Sequence, residues 1–416
     1  MIRRLTYGVF LAGLVVVGMV AQAGSHLLAL PSLAPRPESV DDGSTSPSGD
    51  VQHAVGIRRV SSEDAPMALT IWYPAETAKN DSQIDYSYGI NMFGPDGALA
   101  LATYYGWATP AASLDLAAGP YPMVILSHGF AITGSSYAWL AEHLAAHGMV
   151  VVAPHHRESL DPGELWRSAV ERPSDVLALL AWVDTQIEED GEFGRLIDNQ
   201  RVAVVGHSFG GYTALAAAGA RLDLVAFRST CDTAFQDDDP LTFLCDAVLP
   251  RAADMADLAG LDGVPSGLWP RVADSRVDAI VTIAGDAAVF GSTGLAQITT
   301  PVMAIGGTAD VDSPFRWGTE LTYEHVSSIR KVEIGFEGGA HMLFAGECDS
   351  GRRIMSLVSL GFCSDAAWDR SRAHDLVERY VTSFLLAELG RDRTAAETLR
   401  PADDPPPGVT YRAEGY

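Results

Sequence analysis

Short runs of apolar residues recur along the chain from about residue 121 onward, with no polar alternation inside them. Predicted strands occupy residues 123–127, 149–153, 202–205, 278–284, 302–306 and 331–336. Helices are predicted between and after them, at residues 136–147, 174–189, 212–220 and 372–389. Strands that lack alternation are buried on both faces, which is typical of a parallel sheet covered by helices. The pattern therefore predicts an α/β fold with a mostly parallel, twisted sheet and helices on both of its faces.

The segments around this alternating core differ from it in composition. Two strand-like runs between residues 55 and 73 are expected to pair antiparallel, whereas residues 75–119 are expected to wrap the surface irregularly. Residues 228–275 interrupt the alternation and are expected to form an insertion that covers the carboxyl edge of the sheet. We expect one domain over residues 51–390, followed by an extended or mobile C-terminal extension at 391–416.

The first residues resemble a secretory signal. Two arginines precede an apolar run over residues 5–20, and residues 21–23 are Ala-Gln-Ala, an A-x-A cleavage pattern. The run is short for a membrane span, and no stop-transfer flank follows it. We therefore predict a signal peptide at residues 1–23, a flexible linker at 24–50 and export of the mature chain, with an uncleaved anchor as the alternative.

Charge narrows the range of partners. The 416-residue chain carries 53 acidic and 28 basic residues, which gives a formal net charge of −25 at pH 7. Such a charge disfavours nucleic acid, whose phosphates require positive groups, and docking on an anionic membrane surface. We expect no nucleic-acid partner and no stable membrane span in the mature chain.

The predicted export favours disulfide bonds between the four cysteines. Cys231, Cys245, Cys348 and Cys363 form an even set, as expected in an oxidising compartment. Four cysteines allow three pairings, and proximity in the chain favours Cys231–Cys245 and Cys348–Cys363. A zinc site is disfavoured because no C-x-x-C spacing is present. If the chain is not exported, the alternative is that all four thiols are reduced, buried and inert.

The most informative motif is Gly206-His207-Ser208-Phe209-Gly210, a G-x-S-x-G sequence between a predicted strand and a predicted helix. In this context the serine sits on a sharp, strained turn that exposes its hydroxyl above the edge of the sheet. The residues two positions to either side must be small because strand and helix crowd them, and both are glycine. We therefore predict that Ser208 is a nucleophile.

A serine nucleophile needs a base, and a third group orients that base. In folds that use this motif the order along the chain is serine, acid, histidine. His341 lies in a loop after the last predicted strand, from which a base can reach the serine. His325 and His374 belong to helices and are expected at the surface, so His341 is the predicted base.

Two aspartates compete for the place of the acid. Asp310 follows the strand at 302–306, and Asp286 follows the strand at 278–284. Either strand end can present a carboxylate to the imidazole, and either aspartate could instead cap a turn. Asp310 is favoured, and Asp286 stays open as the alternative.

Two backbone N–H groups must also face the negative charge that develops on the reacting oxygen. One is expected from Phe209, next to the nucleophile, and the other from Phe130 in the loop at residues 127–130. His128 in this loop precedes Ser208 in the chain, so it is expected to brace the loop rather than to act as the base.

Neither a metal nor a cofactor is predicted. The adjacent His155 and His156 suggest metal ligands, but neighbouring side chains in an extended chain face opposite ways. The serine, histidine and aspartate need no cofactor for their chemistry.

The sequence resembles the secreted bacterial dienelactone hydrolase-like α/β-hydrolases, a group similar to the platelet-activating factor acetylhydrolases. The resemblance rests on residues 69–74, 127–130, 146–157 and 206–211, and it spans roughly residues 51–390. It implies an α/β-hydrolase fold with Ser208 as nucleophile, His341 as base, and Phe130 and Phe209 as oxyanion donors.

The resemblance leaves the acid open. The acetylhydrolases carry it after the sixth strand, which corresponds to Asp286, whereas cutinase-like polyester hydrolases carry it after the seventh, which corresponds to Asp310. Dienelactone hydrolases proper use a cysteine nucleophile, so Ser208 argues against that activity. The insertion at 228–275 is longer than in the minimal cutinase-like enzymes, which argues against an open polymer-binding groove.

The expected function is that of a secreted serine carboxylesterase that works through an acyl-enzyme. Expected substrates are esters of short acyl chains, including acetyl or short sn-2 acyl groups of phospholipids and polyester fragments. Acyl transfer or amide hydrolysis by the same residues is the alternative among enzymes. A non-catalytic binding module would require a missing triad member, and none is missing here.

Overall fold

The described part of the chain comprises most of the predicted domain. The computed structural model describes residues 53–77, 84–92, 97–346, 362–401 and 405–416. The predicted signal peptide at 1–23 and linker at 24–50 lie outside the described residues, and so does Cys348. Among the helices that the structure describes, none is long and apolar enough to cross a membrane.

A single large sheet organises the fold. The strands are β1 (Ala54–Val60), β2 (Leu69–Ala75), β3 (Ile84–Asn91), β4 (Ala98–Gly106), β5 (Thr109–Pro110), β6 (Tyr121–Ser127), β7 (Val150–Pro154), β8 (Ile197–His207), β9 (Val277–Ile283), β10 (Val302–Gly307), β11 (Lys331–Phe336) and β12 (Val409–Glu414). Ten of them form the sheet, in the order β12-β11-β10-β9-β8-β6-β7-β2-β1-β5. The six central strands from β11 to β7 are all parallel. Strand β2 runs antiparallel to both β7 and β1, β12 runs antiparallel to β11, and β5 pairs parallel with β1, so the sheet is mixed but mostly parallel.

Helices cover both faces of this sheet. They are α1 (Ala138–Ala146), α2 (Leu165–Glu188), α3 (Phe209–Ala217), α4 (Leu224–Gln236), α5 (Thr242–Val248), α6 (Ala252–Leu258), α7 (Gly291–Leu295), α8 (Thr319–His325), α9 (Arg370–Leu389) and α10 (Arg393–Thr398). One core contains α2 and α3, and the other contains α1 and α9. Val204 of β8 enters the first core and its neighbour Val205 enters the second. Both strand faces are therefore buried, which explains the absence of alternation in the sequence.

Helix α2 begins well before the predicted start at residue 174. It spans Leu165–Glu188 and contains Pro173 in its interior. A proline lacks the N–H that a helix interior uses, so it favours a helix start at that position. Here Trp166 and Ala169 are buried in the core on the N-terminal side of the proline, and this packing extends the helix through it.

The expectation of irregular structure over residues 75–119 is wrong in part. Strands β3 and β4 form a separate antiparallel hairpin within this segment. The buried carboxylate of Glu142 on α1 accepts hydrogen bonds from the Tyr86 hydroxyl (2.7 Å) and the Ala108 N–H (2.8 Å). Tertiary contacts with α1, which local sequence does not reveal, therefore anchor the hairpin.

The expectation that residues 391–416 form an extended appendage outside the domain is also wrong. This segment contains helix α10 and strand β12, which pairs with β11 from Lys331↔Glu414 to Phe336↔Val409. Arg412 donates to both carboxylate oxygens of Glu333, at 2.7 and 2.6 Å. The sheet thus continues beyond residue 390, because β12 supplies hydrogen-bond partners for the edge of β11.

The insertion at 228–275 contributes to a compact set of helices, α4 to α6. The predicted Cys231–Cys245 disulfide is confirmed and joins α4 to α5. Cys348 lies outside the described residues, so the Cys348–Cys363 pairing stays a prediction. Between the two bonded cysteines, Asp239 accepts a hydrogen bond from the Trp317 indole (3.3 Å) and forms an ion pair with Arg316. The insertion therefore contacts the loop that follows β10.

The disulfide provides a test of this arrangement. Replacing Cys231 and Cys245 by serine should lower the free energy of unfolding by about 3 kcal/mol, because a loop of this length is then unrestrained in the unfolded chain. Thermal unfolding followed by circular dichroism measures the effect. The variant Ser229→Ala, at an exposed position of the same helix, should keep the wild-type Tm. Equal Tm values for wild type and the double serine variant would contradict the prediction.

Candidate active site

Ser208 lies on a strained turn between β8 and α3. Its φ of 57° and ψ of −124° are rare for a residue with a side chain. The Ser208 N–H donates to the Ile283 carbonyl (2.8 Å), and the Ser208 carbonyl accepts from the Gly211 N–H (2.8 Å). These bonds hold the strained backbone in place, and the side chain stays partly exposed at the carboxyl edge of the sheet.

The two glycines of the motif are required by space. A Cβ on Gly206 would lie 2.1 Å from the Gly210 carbonyl oxygen. A Cβ on Gly210 would lie 2.0 Å from the Ser127 carbonyl oxygen, at the end of the neighbouring strand β6. Because backbone atoms cannot move aside at such distances, the turn admits no larger residue at either position.

His341 and Asp310 form a buried hydrogen-bonded pair. His341 Nδ1 lies 2.7 Å from Asp310 Oδ2, and both side chains are almost completely buried. His341 follows β11 and Asp310 follows β10, so adjacent parallel strands bring them to the same edge. The other oxygen of Asp310 accepts the backbone N–H groups of Asp312 and Ser313, both at 2.9 Å. These contacts fix the carboxylate so that Oδ2 faces the imidazole.

Asp286 has a different partner. Its Oδ1 accepts a hydrogen bond from the Ser313 hydroxyl (2.7 Å), and the N–H of the same serine donates to Asp310. Ser313 thus links the two aspartates, and only Asp310 contacts the imidazole directly. Burial raises the pKa of Asp286 to about 6, and the neighbouring carboxylate of Asp310 adds to the increase.

The electrostatics of His341 result from opposing effects. Burial by itself lowers the pKa of the imidazole, but the carboxylates of Asp310, Asp312 and Asp286 more than offset it and raise the pKa of His341 to about 9. Asp310 is the largest of these contributions, through its charge and its hydrogen bond. The imidazolium is therefore unusually stable at this position.

His207, the residue before the serine, connects the base to the loop at 127–130. Its Nε2 lies 3.0 Å from the His341 carbonyl, which can only accept, so Nε2 carries a proton. Burial keeps the pKa of His207 well below its usual value, so the ring is neutral and Nδ1 accepts the Tyr137 hydroxyl proton at 2.8 Å. The Tyr137 oxygen accepts from the Gly129 N–H in turn (3.3 Å).

Sequence reasoning missed this chain of hydrogen bonds. Only the adjacency of His207 to Ser208 hinted at it, and Tyr137 lies far away along the chain. These hydrogen bonds place the loop of His341 beside the nucleophile, and the ring centroids of His207 and His341 are 4.7 Å apart. In the part of the chain that the structure describes, the Ser208 hydroxyl itself makes no hydrogen bond. Hydrogen bonds between catalytic groups often form fully only when substrate is bound.

The loop expected to supply an oxyanion donor packs against the nucleophile turn. The rings of Phe130 and Phe209 meet edge to face, with centroids 6.2 Å apart. His128 braces the loop: its Nδ1 lies 2.8 Å from the Gly129 carbonyl, and its Nε2 accepts the His156 N–H at 3.1 Å.

A second Ser–His–Asp arrangement lies beneath this loop. His156 contacts the Ser127 hydroxyl through Nε2 (3.0 Å) and Asp175 through Nδ1 (2.7 Å). Ser127 is completely buried, so its hydroxyl fixes the end of β6 and cannot reach a substrate. His155 instead contacts Thr70 through Nε2 at 2.9 Å, so the two adjacent histidines have separate partners.

The two histidines expected at the surface, His325 and His374, occupy different environments. His325 is exposed at the C-terminal end of α8. The expectation that His374 lies at the surface is wrong, because α9 packs against α1 and buries it. Its ring stacks on Trp139 with centroids 3.8 Å apart, and burial lowers the pKa of His374 to about 3.

One group of side chains in the described ranges could approach a metal ion. Asp310, Asp312 and His341 place potential ligand atoms within 4.8 Å of one another. A metal there would have to replace the 2.7 Å hydrogen bond between His341 and Asp310. Two of the three potential ligands, His341 and Asp310, are therefore already bonded to each other.

A strained serine turn in a mostly parallel sheet, with a His–Asp pair on the adjacent strand ends, defines the α/β-hydrolase fold. The chain has this fold, as its sequence pattern predicts. Comparisons with known proteins agree. The family model described as "Chlorophyllase" matches residues 111–229, and the one described as "Platelet-activating factor acetylhydrolase, isoform II" matches residues 41–161. Both families consist of α/β-hydrolase serine esterases.

Individual relatives point the same way. The chain is 28% identical to chloroplastic chlorophyllase-1 of Citrus unshiu over 130 residues, which is 30% of this chain and 38% of the relative. It is 36% identical to cutinase est1 of Thermobifida alba over 106 residues, or 26% of this chain and 33% of the relative. Chlorophyllase-1 of Arabidopsis thaliana is 33% identical over 101 residues, or 24% and 30%. The matches thus span about a third of the length of these relatives.

The His341–Asp310 pair predicts a shifted titration. The His341 imidazole should titrate near pH 9, above the ordinary histidine value of about 6.5, because anionic neighbours stabilise its protonated form. The variant Asp310→Asn should lower this midpoint strongly, and the matched variant Asp286→Asn should lower it less. Nuclear magnetic resonance of the imidazole protons against pH measures all three midpoints. An unshifted midpoint in Asp310→Asn would contradict the assignment of the pair.

Proposed function

We propose that this protein is a serine carboxylesterase in which Ser208 is the nucleophile, His341 the base and Asp310 the acid. The observation that carries the proposal is the buried 2.7 Å hydrogen bond between His341 and Asp310 at the sheet edge where the strained Ser208 turn lies. The chlorophyllase, cutinase and acetylhydrolase relatives support ester hydrolysis as the reaction.

The reaction proceeds in two halves through an acyl-enzyme. In the first half, the Ser208 hydroxyl attacks the ester carbonyl while Nε2 of the neutral His341 imidazole, the form that predominates above its pKa of about 9, takes the serine proton. The imidazolium then donates this proton to the leaving alcohol, and the ester C–O bond breaks. In the second half, water adds to the acyl-enzyme by the same route and releases the carboxylic acid. Asp310 stays ionised, holds the imidazole through Nδ1 and stabilises the imidazolium.

The N–H groups of Phe130 and Phe209 are proposed to bind the oxyanion of each tetrahedral intermediate. Phe209 begins helix α3, where backbone N–H groups lack helical partners and the helix dipole favours negative charge. Phe130 lies in the loop after β6, in ring contact with Phe209. Their positions next to the nucleophile support this role.

Esters with short acyl chains are the proposed substrates, including acetylated or short-chain phospholipids and polyester fragments. A crevice of about 160 Å³ lies between the insertion and the acid loop, and it is lined by residues such as Leu241, Leu244, Asp286, Ser313 and Trp317. The insertion thus packs beside the acid loop, and its proximity to the site supports a preference for small acyl groups. Secretion is part of the proposal, and the Cys231–Cys245 disulfide supports it because such bonds persist in oxidising compartments.

The assignment of the nucleophile and acid predicts specific losses of activity. The variant Ser208→Ala should abolish hydrolysis of p-nitrophenyl acetate, because no other group supplies the acyl acceptor. Asp310→Asn should reduce kcat by about 10⁴-fold, because the imidazole loses the partner that orients it. Stopped or continuous absorbance assays of p-nitrophenol release measure both.

Asp286→Asn is the matched control for this experiment, because Asp286 is a half-buried aspartate of the same cluster without a direct contact to His341. It should retain far more activity than Asp310→Asn. The reverse order would assign the acid to Asp286, and undiminished activity in Ser208→Ala would refute the proposed reaction.

Acyl-chain length provides a separate test. The specificity constant kcat/KM should be highest for two- to four-carbon p-nitrophenyl esters and should fall with longer chains, because the insertion packs against the acid loop. Leu244→Ala should widen the crevice and improve the longer esters relative to acetate. A preference of the wild type for long chains would contradict the proposed substrate class while leaving the ester chemistry intact.

A further inference from the structure

A buried ion pair lies directly behind the loop that carries Phe130. Arg172 of helix α2 is only 1% exposed, and Glu158 follows strand β7 and is 7% exposed. Arg172 Nε and Nη2 donate to the two oxygens of Glu158, each at 2.6 Å. Burial alone would raise the pKa of Glu158, but the guanidinium holds it well below its usual range. The pair is therefore fully charged and shielded from solvent.

The pair contacts the backbone on both sides of Phe130. Arg172 donates from Nη1 to the His128 carbonyl (2.6 Å) and from Nη2 to the Gly129 carbonyl (3.2 Å). Glu158 Oε2 accepts the N–H of Ala131 at 3.0 Å. Three consecutive peptide groups of the loop are thus tied to one bidentate ion pair, and charge-assisted hydrogen bonds of this kind are strong.

These contacts set the direction of one particular N–H group. In a planar trans peptide the C=O and N–H bonds point in opposite directions. The Gly129 carbonyl points to Arg172, so the N–H of Phe130 in the same peptide points away from it. The Arg172 guanidinium also lies 5.4 Å from the centre of the Phe209 ring, on the residue that follows the nucleophile. Arg172 therefore contacts the peptide group that carries the Phe130 N–H and the ring of Phe209, the two residues proposed as oxyanion donors.

We propose that Arg172 and Glu158 are positioning residues that hold the Phe130 N–H in the orientation needed to bind the oxyanion. This inference rests on the proposed function and deepens it. An oxyanion hole is effective because its donors are already oriented when charge develops, so no energy is spent on reorientation during the reaction. A rigid ion pair behind the loop provides that orientation, whereas a flexible loop would have to be ordered in each transition state.

The geometry requires an arginine at this position. A guanidinium presents five N–H groups in a planar fork, and here four hydrogen bonds lead to one carboxylate and two carbonyls. A lysine ammonium has three donors on a single nitrogen and cannot span these acceptors. Arg172→Lys should therefore keep the positive charge but lose hydrogen bonds to the carbonyls of the loop.

Two variants test the inference by steady-state kinetics with p-nitrophenyl acetate. Arg172→Lys keeps a cation beside Glu158, and Arg172→Met with Glu158→Gln removes both charges without leaving one unpaired. In each variant, kcat should fall by about 10- to 100-fold while KM stays nearly unchanged. This loss is smaller than the roughly 10²–10³-fold loss expected when an oxyanion donor is removed, because the Phe130 N–H is still present but less well oriented. Affinity for a trifluoromethyl ketone analogue of the substrate should fall by a similar factor, because the analogue forms the same oxyanion.

Arg276 provides the matched control. It forms ion pairs of similar length, though more exposed, with Asp184 (2.6 Å) and Asp274 (2.7 Å), and it lies before the amino end of β9, away from Ser208. Arg276→Met should lower Tm and leave kcat and analogue affinity unchanged. Circular dichroism and covalent labelling of Ser208 by a fluorophosphonate establish the folded, reactive fraction of every variant, and kcat is expressed per labelled site.

The outcomes separate this inference from the function on which it rests. If the wild type hydrolyses esters through Ser208 and both Arg172 variants keep kcat per labelled site, the positioning role is refuted and the esterase is not. If kcat falls but analogue affinity does not, the loss does not involve the oxyanion, and the inference is again refuted. If the wild type hydrolyses no ester, the proposed function fails, and this inference fails with it.

Discussion

Strand β8 and helix α3 meet so closely at Ser208 that only one arrangement of the backbone fits. Gly206, Gly210 and the end of β6 leave no room for a side chain, and Ser208 takes up the turn with a positive φ. The strain is tolerated because backbone hydrogen bonds and the packed sheet fix the residues on both sides. The rest of the site is arranged around this point, because parallel strands deliver their loops to the same edge of the sheet.

The two sides of the site have opposite electrostatic character. On the side of the base, Asp310, Asp312 and Asp286 surround His341 and favour its protonated form. On the other side, the buried cation of Arg172 lies behind the loop at 127–130. Proton transfer to His341 creates a cation next to carboxylates, while the substrate oxygen becomes an anion near backbone N–H groups. The charges of the protein are thus arranged for the separation of charge in the proposed reaction.

Several features far from Ser208 determine how firmly these groups are held. The series of hydrogen bonds from Gly129 through Tyr137 and His207 to His341 links the two loops that flank the serine. The disulfide between α4 and α5 holds the segment whose Asp239 contacts Arg316 and Trp317 in the acid loop. At the edge of the sheet, β12 covers β11, the strand that leads to the base.

The sequence alone determined the alternation of central strands and helices along the chain, the serine turn and the Cys231–Cys245 disulfide, because apolar runs, glycine spacing and chain proximity are local signals. It also selected His341 and reduced the acid to Asp310 or Asp286, and their catalytic roles stay predictions. Only the tertiary structure showed which aspartate contacts the imidazole. It also showed that residues 409–414 join the sheet and that Arg172 donates hydrogen bonds to the loop of Phe130. Each of these depends on contacts between residues distant in the chain, and no local pattern encodes such contacts.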